Sequence, residues 1–301
     1  MVGEGTRRAV FDIGSSSVLL LVAEFRAGEW RRMMERCVVT RLSEGLADTG
    51  SLTEAAMQRT TDACSALLQE ALAYGPESVV AVGTMALRMA TNSAEMLERL
   101  AGVGLHARVL QPQEEARLSY LSVNRDPVFA GQVGSVIDIG GASTEICGEA
   151  VEHSYPVGAA MLASGLLGPG PCPEPLVRVA CEAVDLLLQT DPPQRSDSVA
   201  TVGSTGVNLA SIARGGEFDP DAVHGSRLTL EGVRELRDRV CRMSVDERAE
   251  LLGLECGRAF AIHSGALILE RAMNALGVSE VRISARGLRW GLLDGLAESD
   301  M

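Results

Sequence analysis

Two acid-glycine turns stand 126 residues apart and offer nearly the same chemistry: Asp12-Ile13-Gly14-Ser15-Ser16-Ser17 and Asp138-Ile139-Gly140-Gly141-Ala142-Ser143-Thr144-Glu145. Each follows a short β-rich run, Ala9-Val10-Phe11 or Ser135-Val136-Ile137, then sets an acid at the strand end and continues with glycine and small hydroxyl residues. A turn of this kind offers backbone N–H groups to phosphoryl oxygens, because glycine permits close approach and Ser or Thr adds hydroxyl donors. The acid beside it can hold a cation, or a water that bridges to the same phosphate. Gly14, Ser15 and Ser17, with Gly140, Gly141, Ser143 and Thr144, are therefore the candidate phosphate cradle. The competing reading is two ordinary hairpin turns, and the repetition favours the cradle. A third turn of the same type, Gly203-Ser204-Thr205-Gly206, follows the strand Ser198–Val202.

Asp138 and Glu145 close the ends of one tight turn, which brings two carboxylates near a single point. That arrangement suits a hard cation that keeps several waters; turn capping and cross-strand pairing are the structural alternatives. Asp12 either joins a metal shell through water or simply forms its turn.

The elements that must position these turns read as α/β. Strands are expected over residues 8–12, 18–24 and 30–42. A helix follows from Thr53, a side chain suited to capping, to about Ala73, with Ala56, Met57, Thr60, Ala63 and Leu67 at helical spacing. The strand Ser78–Val82 leads through Gly83-Thr84 to a short helix carrying Arg88, and another helix opens at Gln113-Glu114-Glu115. The second half repeats the order, and a last helix–strand–helix unit covers 261–275, 281–284 and 287–297. The two halves suggest domains at 1–121 and 122–301.

The 301 residues allow two domains, and 46% hydrophobic with 22% charged residues is a globular composition. No apolar run reaches membrane-span length and the N-terminus leads into a strand, so a cytoplasmic protein without a membrane partner is expected. The net charge of −13 argues against broad nucleic-acid binding. A polyanionic ligand must then be met by local arginines and divalent cations. Seven cysteines without a C-x-x-C pair are expected as reduced thiols.

Taken in order, Asp12–Ser17, Arg41-Leu-Ser-Glu-Gly-Leu46, Gly83-Thr84-Met-Ala-Leu-Arg88, Glu114-Glu-Ala-Arg117, Asp138–Glu145, Val202–Gly206, His224-Gly225 and Gly287-Leu-Arg289 resemble the exopolyphosphatase / guanosine pentaphosphate phosphatase family. That family belongs to the superfamily of actin, sugar kinases and heat-shock chaperone ATPases. The resemblance implies two ribonuclease-H-like lobes with an interlobe active-site cleft, in a short form lacking extra C-terminal helical domains. It further implies Mg2+-dependent hydrolysis of the terminal phosphoanhydride of inorganic polyphosphate, or of the 5′ end of guanosine pentaphosphate, by a homodimer.

The resemblance gives roles to single residues. Glu115 matches the glutamate expected to orient and deprotonate the attacking water; phosphoryl transfer asks for little else from a base. The alternative, that Glu114 and Glu115 only favour a helix N-terminus, is kept for Glu114. Asp138 and Glu145 fall to magnesium, with Asp12 through water. Arg88 matches a motif arginine that would clamp phosphoryl oxygens, with a surface helix arginine as the alternative, and Arg41 and Arg117 are weaker candidates. Gly203, Ser204 and Thr205 would contact distal phosphates. His224 is expected to order a loop, and His106, His153 and His263 to be structural.

The chain departs from the family pattern at Ser16, where Asn is usual, at Ala142, at Gln111-Pro112, and at Met161, Ala285 and Trp290, where an arginine and two acids are expected. None of these removes the base or the metal acids. Two other classes remain: a sensor that holds the anion with weak turnover, and a kinase or actin-like ATPase, which would not need Glu115 at a water position.

Overall fold

A computed structural model describes residues 3, 5–129, 131–149 and 152–299, the side chains of 294–299 excepted. Two compact units emerge. The first takes the chain up to Leu118 and again from Leu288, and the second takes Ser119–Gly287.

The first unit is a five-stranded sheet in the order β3-β2-β1-β4-β5, built from β1 (Arg7–Ile13), β2 (Ser17–Arg26), β3 (Glu29–Val39), β4 (Ser78–Gly83) and β5 (Ala107–Val109). Strand β1 pairs antiparallel with β2, Ile13 opposite Val18, and parallel with β4, Ile13 beside Gly83. Side chains alternate across the sheet. Ala9, Phe11 and Ile13 bury against Met57, Leu67, Leu68 and Ala71 of the helix Glu54–Leu72. Thr53 caps that helix by accepting the Ala56 amide at 3.2 Å. Val10, from the opposite face, meets Leu110, Leu118, Leu288, Trp290 and Leu293, so Asp12 belongs to that second face.

The second unit repeats the plan in the order β10-β11-β9-β6-β7-β8. Its strands are β6 (Ser135–Ile139), β7 (Thr144–Gly148), β8 (Glu152–Tyr155), β9 (Val199–Val202), β10 (Arg227–Thr229) and β11 (Glu280–Ile283). Strand β6 pairs antiparallel with β7 and parallel with β9, as β1 does with β2 and β4. Ile137 and Ile139 enter a core shared with the helices Glu174–Thr190, Gly203–Arg214, Leu230–Cys241 and Ile262–Leu276, which turns Asp138 to the other face. The duplication read from the two turns thus extends to strand order and to the face each acid takes.

Two expectations change. A boundary at 121/122 is replaced by one inside the helix Pro112–Asn124, and the final helix, Leu288–Ser299, belongs to the first unit. The reason is apolar burial: Leu288, Trp290, Leu292 and Leu293 pack with Val10, Leu21, Ala23 and Trp30, while Arg289 donates to Leu20 O at 3.1 Å and to Glu35 at 2.6 Å. Trp290, at a position where the resemblance leads one to expect an acid, is therefore core. The strand expected over 30–42 stops at Val39, because the Thr40 and Arg41 amides both turn to Ser16 O, with Arg41 at φ +51°.

Among the described residues, no helix is long and apolar enough to cross a membrane. All seven cysteines are free thiols, four of them buried.

Candidate active site

The two turns share one geometry. Gly14 N donates to Ser17 O at 3.0 Å, and Gly140 N to Ser143 O at 2.9 Å. In each, a Cβ on the glycine would sit 3.2 Å from that same carbonyl, tighter than a side chain accepts without movement. Other carbonyls of the turns are tied back by the protein. Ser15 O accepts from the Ser43 amide at 3.0 Å, Gly140 O from Ala159 N and Gly141 O from Met161 N, both at 2.9 Å. Turning carbonyls away is what a loop must do before its N–H groups can serve an anion. Gly158 makes the second clamp possible, since a Cβ there would lie 2.3 Å from Ala142 N.

Asp138 and Glu145 stand directly opposite one another on β6 and β7, so their side chains share a face of the sheet. Ser154, opposite Glu145 on β8, donates its hydroxyl to Glu145 Oε1 at 3.0 Å. Ser119 donates to Asp138 Oδ2 at 2.7 Å. On the other side of Asp138, Gly203 adopts φ +77°, and a Cβ there would come within 3.0 Å of Oδ1. Burial raises the Asp138 carboxyl above its ordinary value, against the lowering effect of the Ser119 hydrogen bond; a cation would offset that cost. Two hard carboxylates beside a glycine-cleared space fit a magnesium ion, which takes one or two protein acids and fills the rest of its octahedron with water and phosphate.

Glu115 lies in the helix Pro112–Asn124, nearly buried. Arg88 fixes it: Nη1 donates to Glu115 Oε2 at 2.7 Å and to Leu110 O at 2.8 Å. Both side chains keep little exposure, 12% and 13%, so this pair is more than a solvated surface bridge. Glu114 differs. It is half-buried in the first turn of the helix and engages Arg108 with both carboxylate oxygens.

Several of the expected site side chains are engaged within the protein. Arg88 donates to Glu115 and to a carbonyl, so it fixes that carboxylate. Thr144 is buried and its hydroxyl donates to Val157 O at 2.6 Å, because its place at the start of β7 turns it inward. Thr205 packs against Gly265, where a Cβ would lie 2.6 Å from its Oγ1. Among the described residues no group of three or more His, Cys, Asp or Glu side chains gathers as a metal shell. Asp12 sits beside Leu19 and Val82 in its sheet, where Asp138 has Glu145 opposite. Gly14, Ser15, Gly140, Gly141 and Ser143 lie in the two turns, Ser17 starts β2, and Gly203 and Ser204, expected in a turn, open the helix Gly203–Arg214.

His224 orders a loop as expected. Its Nδ1 accepts the Ala285 amide at 3.1 Å, and its Nε2 lies 3.0 Å from Asp126 Oδ2, which also meets Arg286 at 3.3 Å. Ser119, Ser154 and Asp126 carry no motif. Ser119 alone had a signal, its spacing of four residues from Glu115 on one helix face.

A sequence profile described as the Ppx/GppA phosphatase family matches residues 21–300. An exopolyphosphatase 1 of Mycobacterium leprae is 31% identical over 95% of this chain and 88% of its own length. A guanosine-5′-triphosphate,3′-diphosphate pyrophosphatase of Aeromonas hydrophila is 30% identical over 96% of this chain, which covers 59% of that protein. The crystal structure of the Aquifex aeolicus member of the Ppx/GppA family superimposes with a TM-score of 0.81 at 28% identity, covering 98% of each chain. An exopolyphosphatase from Cytophaga hutchinsonii shares the fold, with a TM-score of 0.84 at 20% identity over 98% of each chain.

Proposed function

We propose the following of this chain, which belongs to the Ppx/GppA phosphatase family and is a phosphoanhydride hydrolase: it releases orthophosphate from the end of inorganic polyphosphate, with Glu115 as the base. The observation that carries this is the Glu115 carboxylate of the helix Pro112–Asn124, nearly buried and fixed by Arg88.

Glu115 takes a proton from water as the water oxygen attacks the terminal phosphorus. The bridging P–O bond breaks, and the shortened chain leaves with the electron pair. Arg88 keeps the carboxylate aimed, and backbone amides of an Asp-x-Gly turn are the phosphoryl-oxygen donors in this reading. Asp138 and Glu145 would hold magnesium, which, when bound, screens the charge of the phosphoryl group.

The polyphosphate reading draws on the name of the exopolyphosphatase relative, 31% identical over 95% of this chain. The second reading, a 5′-phosphohydrolase of guanosine pentaphosphate, draws on the name of the pyrophosphatase relative. A sensor with weak turnover is the third. The test is phosphate released from long-chain polyphosphate, guanosine pentaphosphate and ATP with Mg2+. Turnover of polyphosphate above the other two supports the proposal, and binding without release overturns it in favour of the sensor. The same reading takes the protein as a cytoplasmic homodimer, to be checked by fractionation and light scattering.

A further inference from the structure

The Asp138 carboxylate has its two oxygens in different surroundings. Oδ2 accepts from Ser119 Oγ at 2.7 Å, a short charge-assisted bond. Oδ1 lies toward Gly203, whose missing side chain keeps that flank clear. Ser119 has no exposure at all. A serine inside a helix commonly returns its hydroxyl to a carbonyl one turn back; this one reaches a carboxylate 19 residues away. Its own carbonyl is pinned in turn by Ser122 Oγ at 2.7 Å, and Ser122 Oγ also reaches Arg286 O at 3.2 Å.

The chemistry of the donor matters. An arginine or lysine at this place would fix the carboxylate but offset its charge toward a cation. A hydroxyl supplies one proton and no charge, so the aspartate is oriented while its full negative charge stays available to a cation.

We propose that Ser119 is the positioning residue for the divalent cation: it holds Asp138 Oδ2 so that Oδ1 is presented as the metal-binding oxygen. This rests on the reading of Asp138 as a magnesium acid. Outer partners that orient a metal ligand typically contribute about 10–100-fold in metal affinity.

The test is calorimetric titration of the full chain with Mg2+ alone, in parallel with the Mg2+ concentration giving half-maximal phosphate release. Ser119→Ala is expected to weaken Mg2+ binding about tenfold or more and to raise the Mg2+ requirement in proportion. Ser119→Thr, which keeps the hydroxyl, is expected to restore binding to within about twofold; if the added methyl prevents folding, Ser119→Cys, a weaker donor, is expected to fall between wild type and Ala. Asp138→Asn serves as the reference. If Asp138→Asn loses Mg2+ and Ser119→Ala binds it like wild type, the Ser119 inference is overturned and the metal reading stands. If Asp138→Asn binds Mg2+ like wild type, the metal reading fails and the inference with it.

Discussion

His263 is fully buried in the second unit, and its imidazole is pushed down from 6.5 to about 4. Burial is the main cause, the charge of Arg248 adds to it, and the Gly168 carbonyl pulls the other way. Arg248 is itself fully buried, held by the carbonyls of Ala259, Val240, Met243 and Pro169 at 2.7–3.1 Å. In the unfolded chain His263 takes a proton below about pH 6.5, while in the folded protein it stays neutral until about pH 4. Stability from this group is therefore complete above pH 6.5 and is lost as pH falls to 4. At roughly 1.4 kcal/mol per pH unit, the loss reaches about 3 kcal/mol. Denaturant midpoints measured from pH 7.5 to 4.5 should fall for wild type relative to His263→Leu as pH falls, because only wild type carries this slope. Imidazole C–H resonances are resolvable with four histidines in the chain. The resonance missing from His263→Leu should show no titration above pH 5. A midpoint near 6.5 for that resonance, or equal pH slopes for the two proteins, would refute the reasoning.

Gly158→Ala should destabilise the Gly140 turn, since the new methyl would meet the Gly141 and Ala142 backbone at 2.3–2.6 Å. A loss of roughly 1–3 kcal/mol in denaturant unfolding is expected, with weaker phosphate-analogue binding in the same variant. Arg88→Lys keeps a positive charge but loses the rigid fork. It should lower kcat of polyphosphate hydrolysis about tenfold with little change in KM, and an equal rise in KM would mean that Arg88 grips substrate instead.

The parts of the fold that a sequence exposes best are those set by neighbours along the chain. Thr53 announces its helix because a cap needs only the next three residues, and the alternation through Val10, Phe11 and Ile13 declares a strand with two buried faces. The Asp-x-Gly turns were legible for the same reason. The direction of a hydroxyl is decided by packing across the unit, so the Thr144 bond to Val157 O and the close approach of Thr205 to Gly265 were not legible. The final helix carried no local sign of the unit it joins. Trp290 finds its partners, Val10 and Trp30, more than 250 residues earlier, and long-range apolar burial of that sort leaves no pattern to read. Arg88 and Glu115 each stood out by type, but that one fixes the other depends on Leu110 and on a loop closing over 27 residues.

The most direct test of the account is phosphate release from long-chain polyphosphate by Glu115→Gln, which keeps shape and removes the proton acceptor. Loss of the base should lower kcat by about a thousandfold, within the 10²–10⁴ range for a positioned general base, with Mg2+ binding retained. Turnover within a few-fold of wild type would contradict it.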